Sequence, residues 1–164
     1  MSHLGRIPVV RVRRALKSAG SNSKIIELES SARTASDAAA GLNCELGSIV
    51  KSLVFCIGDF AVMALIAGDR LCDQTELNVV FKRRGTPRRA DAKLVQEVTG
   101  FSIGGVAPIG LISSLPITID KSLGRFQKVY AAAGHPHCVF ESTLLELTQM
   151  TNAIVSEKIA HSLR

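Results

Sequence analysis

The sequence predicts an α+β fold in which helices flank a curved, mixed β-sheet. Three observations predict this class. Apolar runs of strand length are mixed with segments of helix length, and they do not follow strict βαβ alternation. The 164 residues fit one domain, and no Pro-, Gly- or Ser-rich linker divides them. We therefore predict a single domain over residues 1–164, with a core over about 34–155 and a basic helix within 1–20.

The first predicted elements are two helices with a short strand between them. Residues 9–19 alternate apolar and basic side chains at helical spacing and stop at Gly20, a residue type that commonly follows a helix. Residues 24–28 are strand-like. Thr34 begins the second helix, because Asp37 stands three positions later in the manner of a capping box.

A β-hairpin is predicted at the centre of the chain. Two apolar strands over 48–57 and 60–67 are separated by Gly58-Asp59, whose residue types suit a tight reversal. A helix over 73–81 follows. A Thr-Pro pair then predicts a further helix over 86–99, since threonine is a good N-cap and proline is favoured in the first turn.

The last third of the chain is predicted to alternate strands with short helical segments. Strands over 102–106 and 115–119 enclose a glycine-rich loop, and Asp120 is expected to cap a single helical turn. The remaining predicted elements are strands over 128–132 and 138–140 and a helix over 142–149.

The net charge of +6 and an isoelectric point near 9.5 indicate either a polyanionic partner or a solvated basic surface. Positive side chains are concentrated between residues 82 and 93, where Asp91 is the one acid. The positive residues there are Lys82, Arg83, Arg84, Arg88, Arg89 and Lys93. Few aromatic residues stand among them, so nucleic acid would be recognised by phosphates and shape rather than by base stacking.

Composition argues against several other classes of protein. The longest apolar stretch, residues 60–68, is shorter than the roughly 20 residues that span a membrane. No apolar segment follows the basic N-terminus, so we expect no secretory signal. The first 23 residues hold no acid, as in organelle transit peptides, but a bacterial cytoplasmic location is the simpler interpretation. The four cysteines form no CxxC pair and are expected to be reduced thiols.

Lys51 interrupts the apolar strand GSIVKSLVF. Side chains alternate along a strand, so Lys51 shares a face with Ile49, Leu53 and Phe55, and both faces are largely apolar. The strand is therefore predicted to be central. Because an unpaired ammonium group is costly to bury, Lys51 reaches a ligand, snorkels to the sheet edge, or pairs with a structural carboxylate.

Two other segments are candidate ligand contacts. FSIGGVAPIG, residues 101–110, is either an ordinary turn or a loop whose backbone N–H groups point at an anion. In AGHPHC, residues 133–138, His135 and His137 would face the same side of a strand. One of them could donate a hydrogen bond to a substrate, or both lie on a surface loop. A zinc site is not expected, because no further ligand accompanies the two histidines in the sequence.

Taken together and in their order along the chain, these segments resemble the YbaK/prolyl-tRNA synthetase editing-domain family over about residues 34–155. The resemblance is carried by TASDAAAGLNCELGSIVKSLVF, ADAKLVQEVTG, GGVAPIG and ITIDKSLGRFQKVYAAAG. It implies a single mixed α/β domain that hydrolyses amino acids wrongly attached to tRNA, usually tRNA for proline. Since the chain lacks synthetase catalytic domains, it is similar to the free-standing members that act in trans.

The resemblance also implies a site. Lys51 matches the family's essential lysine, which anchors the charged 3′ end of the tRNA. The GxxxP loop holds the aminoacyl carbonyl with backbone N–H groups, and a ribose hydroxyl of the tRNA assists in activating water. That loop corresponds to Gly104, Gly105, Val106, Ala107 and Pro108. The candidate substrate-binding residues are His135, His137, Ser52, Gly134 and Asp120, with the choice between the two histidines open.

Further expectations concern partners and cofactors. The candidate tRNA-binding residues are Lys82, Arg83, Arg84, Arg88 and Arg89. A prolyl-tRNA synthetase is a candidate partner, and neither a metal nor another cofactor is expected. A small apolar pocket would accept alanine or a similarly small residue and exclude proline.

Two alternatives stay open. One is a non-catalytic module of the same fold that binds tRNA or another nucleic acid. The other is a small-molecule esterase or amidase, although the sequence has neither a GxSxG nucleophile motif nor a convincing pair of catalytic carboxylates. Hydrolysis would therefore depend on positioning and backbone polarisation.

Overall fold

A computed structural model describes residues 1–163, which form ten strands and five helices. The strands are β1 (Ile25–Glu27), β2 (Ile49–Ile57), β3 (Phe60–Ala67), β4 (Arg70–Cys72), β5 (Pro87–Arg89), β6 (Ile117–Asp120), β7 (Val129–His135), β8 (Cys138–Ser142), β9 (Ile154–Ser156) and β10 (Ala160–Ser162). The helices are α1 (Ile7–Ser18), α2 (Ala35–Leu42), α3 (Gln74–Phe81), α4 (Ala92–Thr99) and α5 (Leu144–Thr151), with 3-10 turns at Leu46–Ser48 and Lys121–Arg125.

Strand β2 is the centre of the main sheet, whose order is β1-β8-β7-β2-β3-β6-β9 with β5 also paired to β2. Along one edge, β2 pairs with β3 in an antiparallel hairpin from Val50 to Ile57. The other edge is divided between two partners. β7 runs parallel to it at Ile49 and Val50, and β5 runs antiparallel to it from Phe55. Between these partners the edge is open, and that opening positions the site described below.

The fold class is confirmed: the protein is a mixed α+β domain with a curved sheet. The central position of β2 follows from its sequence, since strands buried on both faces are apolar almost throughout. Val50, Val54 and Cys56 belong to the larger core, which α1 and α4 cover with Val9 and Val95. On the opposite face lies a smaller core, composed of Phe55, Ile57, Val62, Ala64, Ile66, Leu77, Ile159 and Ala160.

Side-chain caps define where four of the helices begin. The capping residues Thr34, Asp73, Asp91 and Thr143 each accept a hydrogen bond from a backbone N–H group in the first turn. A cap of this kind stabilises a helix by about 1 kcal/mol. Asp120 likewise accepts from the Ser122 N–H group and begins the predicted helical turn. The elements predicted around Thr34 and Asp120 are therefore confirmed.

The helix predicted over 86–99 is wrong in its first half. Pro87–Arg89 is strand β5, and α4 begins only at Ala92, after Asp91 has capped it by accepting from Leu94 N at 2.9 Å. The Thr-Pro pair is a local signal, whereas pairing with the Phe55–Ile57 end of β2 is a tertiary contact that outweighs it.

The strand predicted over 102–106 is also wrong, because this segment is a loop in which Gly104 has a positive φ of 97°. Sequence analysis missed three short strands, β4, β9 and β10. The pair β4–β10 forms a separate two-stranded sheet, and β9 extends the main sheet beside β6. Three-residue strands carry too little periodicity to be found without their partners.

The helices in residues 1–163 are all too short to cross a membrane. The four cysteines, Cys44, Cys56, Cys72 and Cys138, are free thiols, and Cys56 is buried in the larger core.

Candidate functional site

A cavity of about 340 Å³ lies where the edge of β2 is open. Three segments form most of its wall: the start of α2, the first part of β2, and the glycine-rich loop. The lining residues are Ala32, Arg33, Thr34, Ala35, Ala38, Ile49, Val50, Lys51, Ser52, Leu53, Val54, Arg89, Val95, Ile103, Gly104, Val106, Tyr130, Ala132 and Val139. The cavity therefore brings together Lys51 and the GxxxP loop, which are some fifty residues apart in the sequence.

Lys51 lines this cavity with a half-buried side chain. Its Nζ donates a hydrogen bond to the backbone carbonyl of Arg70. Desolvation lowers the pKa of Lys51, and the positive charge of Arg89 lowers it further, while Cys72 and nearby carboxylates act in the opposite direction. Within residues 1–163 no carboxylate forms an ion pair with Lys51. The structural-carboxylate alternative therefore does not describe this lysine.

Asp120 does not line the cavity. Its side chain is 2% exposed, its Oδ2 accepts from Ala67 N at 3.2 Å, and the same oxygen lies 3.5 Å from Arg70 Nε. Arg70 also donates from Nη2 to the Ala160 carbonyl at 2.6 Å. Asp120 thus helps to hold the residue whose carbonyl receives Lys51, and it does so without reaching the cavity.

The GxxxP loop packs tightly against the end of β7. Gly134 N donates to the Gly105 carbonyl at 2.9 Å. A Cβ on Gly105 would lie 2.7 Å from His135 N, so only glycine fits between the loop and the strand. Gly104 and Val106 line the cavity, whereas Gly105, Ala107 and Pro108 are buried behind it. The loop is therefore held rigidly at one wall of the cavity.

Neither His135 nor His137 lines the cavity, although both lie at the end of β7 beside the loop. His137 Nδ1 is 2.9 Å from the Leu28 carbonyl, which can only accept, so we assign the proton to that nitrogen. His135 Nδ1 accepts from His137 N at 3.1 Å and is therefore unprotonated. The fold therefore uses Nδ1 of both imidazoles, as an acceptor in His135 and as a donor in His137.

His3 covers both of these histidines, which sequence analysis did not foresee. Its ring centroid lies 4.1 Å from that of His135 and 4.4 Å from that of His137. Desolvation lowers the pKa of His135, and the neighbouring His3 and His137 lower it further. No sequence pattern links His3 to residues more than 130 positions away; only the docking of the N-terminal segment brings them together.

The cavity carries a positive charge. Arg33, Lys51 and Arg89 line it, and no acid belongs to its described lining. Arg33 was missed in the sequence, because a single arginine before a helix cap has no distinguishing pattern. Its Cγ lies 3.4 Å from the position of a Cβ on Gly104, which places Arg33 against the loop. Such a set of cations suits an anionic ligand.

Ser52 adds a hydroxyl group to this wall. Its Oγ is buried, and no partner for it is found among residues 1–163. Buried polar atoms are nearly always hydrogen-bonded, so an unpartnered hydroxyl beside a cavity is available to a ligand.

The remaining predicted nucleic-acid contacts lie on the surface outside the cavity. Lys82, Arg83, Arg84 and Arg88 are exposed. Lys82 ends α3 in a left-handed conformation, and the Arg83 guanidinium lies 3.7 Å from the ring centroid of Phe60. Arg88 and Arg89 are neighbours on β5 and therefore point to opposite faces, so that Arg89 reaches the cavity and Arg88 does not.

Residues 29–150 match the model of the family described as the aminoacyl-tRNA editing domain. The chain belongs to that family.

Relatives of known sequence include both free-standing and synthetase-borne members. The chain is 34% identical over 128 residues to YwhH, an uncharacterized protein of Bacillus subtilis (strain 168), a match that covers 77% of this chain and 80% of YwhH. It is also 34% identical over 85 residues to the proline–tRNA ligase of Thermoanaerobacter sp. (strain X514). That match covers 51% of this chain but only 15% of the ligase.

This chain is also similar to a solved structure over nearly the whole length of both chains. A proposed trans-editing enzyme for prolyl tRNA synthetase superposes with a TM-score of 0.85 at 38% sequence identity. The superposition covers 92% of this chain and 96% of that one. The resemblance stated from the sequence is therefore confirmed at the level of family and fold.

Proposed function

We propose that this protein is a trans-acting deacylase that hydrolyses the ester bond of tRNA for proline carrying a small, wrongly attached amino acid. The observation that carries the proposal is the meeting of Lys51 and the GxxxP loop in one cationic cavity. The family and the similar trans-editing structure support the same class of reaction.

The charged 3′ end of the tRNA would enter beside the cations of the cavity. In this proposal Lys51 binds the terminal phosphate region, and Arg33 and Arg89 add positive charge to the same cavity. The strand holds Lys51 rigidly, and the Arg70 carbonyl orients its ammonium group. Ser52 Oγ supplies a further hydrogen bond to the terminal nucleotide or to the aminoacyl group.

Hydrolysis needs no protein nucleophile in this scheme. Backbone N–H groups of Gly104 and Val106, the loop residues that line the cavity, polarise the aminoacyl carbonyl, and Pro108 fixes the end of the loop. A ribose hydroxyl of the tRNA assists a water molecule, whose oxygen attacks the carbonyl carbon. The ester C–O bond then breaks and the amino acid leaves. The ribose oxygen that carried the amino acid takes a proton. One well-placed oxyanion donor contributes roughly 2.7–4 kcal/mol to such a step.

In this proposal the acyl group is small and lies against the apolar part of the cavity lining. Tyr130 on β7 and apolar side chains of β2 belong to that lining, as do the small side chains of Ala32, Ala35, Ala38 and Ala132. One methylene changes discrimination by only about 1–3 kcal/mol, so selectivity depends on close packing in this space.

The tRNA body would lie on the exposed basic residues outside the cavity, namely Lys82, Arg83, Arg84 and Arg88. A prolyl-tRNA synthetase is the candidate partner that supplies the mischarged tRNA, and the cytoplasm is the compartment in which the two would meet.

The decisive experiment measures amino-acid release from a panel of mischarged tRNAs. We expect wild type to deacylate at least one of them, and Lys51→Ala to reduce kcat/KM by about 10²–10³, as is typical when a preorganised charged group is removed. Lys158→Ala, which removes an exposed lysine, is the matched control and should retain the wild-type rate.

Two results would contradict the proposal in different ways. Equal rates for wild type and Lys51→Ala would rule out the role given to Lys51. Tight binding of the tRNAs without release from any of them would favour the non-catalytic tRNA-binding module.

A further inference from the structure

Helix α1 lies before residues 29–150, the part of the chain that matches the family model. Its Arg11 nevertheless contacts Phe101 and Gly110, which begin and end the loop over residues 101–110 that contains the GxxxP segment. Val9, Val12 and Leu16 bury one face of the helix in the larger core. Arg11 stands on the same helix and points toward the ends of the loop.

The Arg11 guanidinium joins the two ends of the loop. Its Nε donates to the Gly110 carbonyl at 2.5 Å, and its Nη2 donates to the Thr99 carbonyl at 3.3 Å. Its Cζ also lies 4.5 Å from the ring centroid of Phe101, a fully buried residue that opens the loop. The planar fork of arginine can reach both carbonyls at once, which a lysine ammonium on its flexible stem does not reproduce.

Glycines allow the backbone to come this close. Gly100 has a φ of 78°, and a Cβ on it would lie 2.5 Å from Arg11 Nη2. Gly110 has a φ of 73° and would place a Cβ 3.2 Å from the Arg11 carbonyl oxygen. Burial lowers the pKa of Arg11, and within residues 1–163 its side chain forms no ion pair with a carboxylate. Arg11 is therefore a half-buried cation whose described contacts are two carbonyl groups and one aromatic ring.

The same helix also supports the middle of the loop. A Cβ on Gly134 would lie 2.7 Å from the Pro8 carbonyl carbon, so α1 packs directly on the end of β7. Gly134 N in turn donates to the Gly105 carbonyl. Helix α1 therefore contacts the loop at its two ends through Arg11 and at its centre through Gly134.

We propose that Arg11 is a positioning residue for deacylation. By joining the Thr99 and Gly110 carbonyls, it holds the backbone N–H groups of the loop in the direction that binds the aminoacyl carbonyl. Arg11 does not line the cavity, so it acts only through the loop. This inference rests on the proposed function for its catalytic consequence, whereas its structural part stands on the contacts alone.

The test compares Arg11→Met and Arg11→Lys with Arg14→Met, which removes an exposed arginine from the same helix. Amide hydrogen exchange over residues 101–110 is measured together with steady-state deacylation kinetics, which give kcat and KM. We expect both Arg11 variants to exchange these amides about tenfold faster, since each loses at least one hydrogen bond that restrains the loop. We also expect kcat to fall about tenfold with KM nearly unchanged, because the groups that touch the substrate all remain.

The control should keep wild-type loop exchange and wild-type kcat. Circular dichroism and thermal unfolding identify any variant that fails to fold, and Arg11→Lys, which keeps the alkyl stem and the charge, then carries the comparison. Folded Arg11 variants with wild-type exchange and wild-type kcat would overturn the inference. A raised KM restored by Arg11→Lys would also overturn it, because that result indicates charge attraction. If wild type releases no amino acid, the proposed function fails, while loop exchange still decides whether Arg11 holds the loop.

Discussion

At the scale of single residues, the candidate site depends on polar side chains that have few hydrogen-bond partners within the protein. Lys51 extends from a strand buried on both faces, and a backbone carbonyl rather than a carboxylate receives its Nζ. A carboxylate partner would neutralise the charge, whereas a carbonyl leaves it available to an anion. Ser52 Oγ and the histidine pair have the same character: each is oriented by the fold and keeps an unused hydrogen-bonding position.

The stacking of His3 on His135 and His137 predicts that the stability of the protein depends on pH. The pKa of His135 lies below its ordinary value of 6.5 because of desolvation first and then of the neighbouring His3 and His137. A depressed folded-state pKa means that the unfolded chain takes up the proton first. The contribution of His135 to the stability of the folded protein is therefore complete above about pH 6.5. It is lost as the pH falls through the pKa that His135 has in the folded protein.

NMR titration of the His135 ring checks this prediction. We expect a midpoint below 6.5 in wild type and a higher midpoint in His3→Ala, since that change removes a covering ring. His161→Ala, which alters an exposed histidine elsewhere, should leave the His135 midpoint where it is. A midpoint that does not move in His3→Ala would show that the stacking has no influence on the titration of His135.

At the scale of elements, the site exists because β2 has three neighbours on two edges. β3 occupies one edge completely, and β7 and β5 occupy only the two ends of the other. The opening between them is as long as a few residues, which suits the end of a chain-like ligand. The GxxxP loop borders this opening and packs against the end of β7.

That packing predicts a large effect of a single methyl group. Gly105→Ala places a Cβ 2.7 Å from His135 N, so the loop and β7 must separate. We expect the free energy of unfolding to fall by about 1–3 kcal/mol, as in overpacked cores. We also expect deacylation to fall more than tenfold, because the loop donors move away from the carbonyl they would bind.

Urea denaturation and single-turnover assays measure the two effects. Gly5→Ala is the matched control, since no atom lies within 4 Å of its added Cβ, and both quantities should stay at wild-type values. A Gly105→Ala protein with full activity would be incompatible with a rigid loop that supplies the oxyanion contacts.

At the scale of the whole molecule, the net charge is +6, and cations are concentrated both in the cavity and on the exposed surface over 82–88. These two regions meet at β5, where Arg89 reaches the cavity and Arg88 faces away from it. A tRNA acceptor end in the cavity would therefore bring adjoining phosphates to the exposed surface. Surface contacts of this kind change affinity more than the chemical step.

The double variant Arg84→Ala/Arg88→Ala tests this arrangement. We expect weaker tRNA binding with kcat unchanged, and a slope of log affinity against log salt that is smaller by about 2, or about 1 for each phosphate that the variant no longer neutralises. Binding is measured at several salt concentrations. Lys24→Ala/Lys158→Ala removes the same charge from exposed positions elsewhere. An equal decrease of affinity in the two double variants would indicate a general charge effect and no defined surface.

Local signals in the sequence predicted much of the fold and part of the site. The N-caps at Thr34 and Asp120, the central hairpin and the apolar character of β2 are all encoded by neighbouring residues. The Thr86-Pro87 signal failed because the competing interaction, pairing of β5 with β2, joins segments about thirty residues apart. Propensity is a weak preference that tertiary contacts override.

The sequence by itself determined the fold class, the family and the two segments that line the cavity, because strand periodicity, helix caps and glycine spacing are properties of short stretches. The tertiary structure alone decided the open edge of β2, the presence of Arg33 in the cavity, the cover that His3 forms over the histidine pair, and the contact of Arg11 with both ends of the loop. Each of these depends on distances between segments that are far apart in the chain, and such distances are set only when the helices and the sheet pack together.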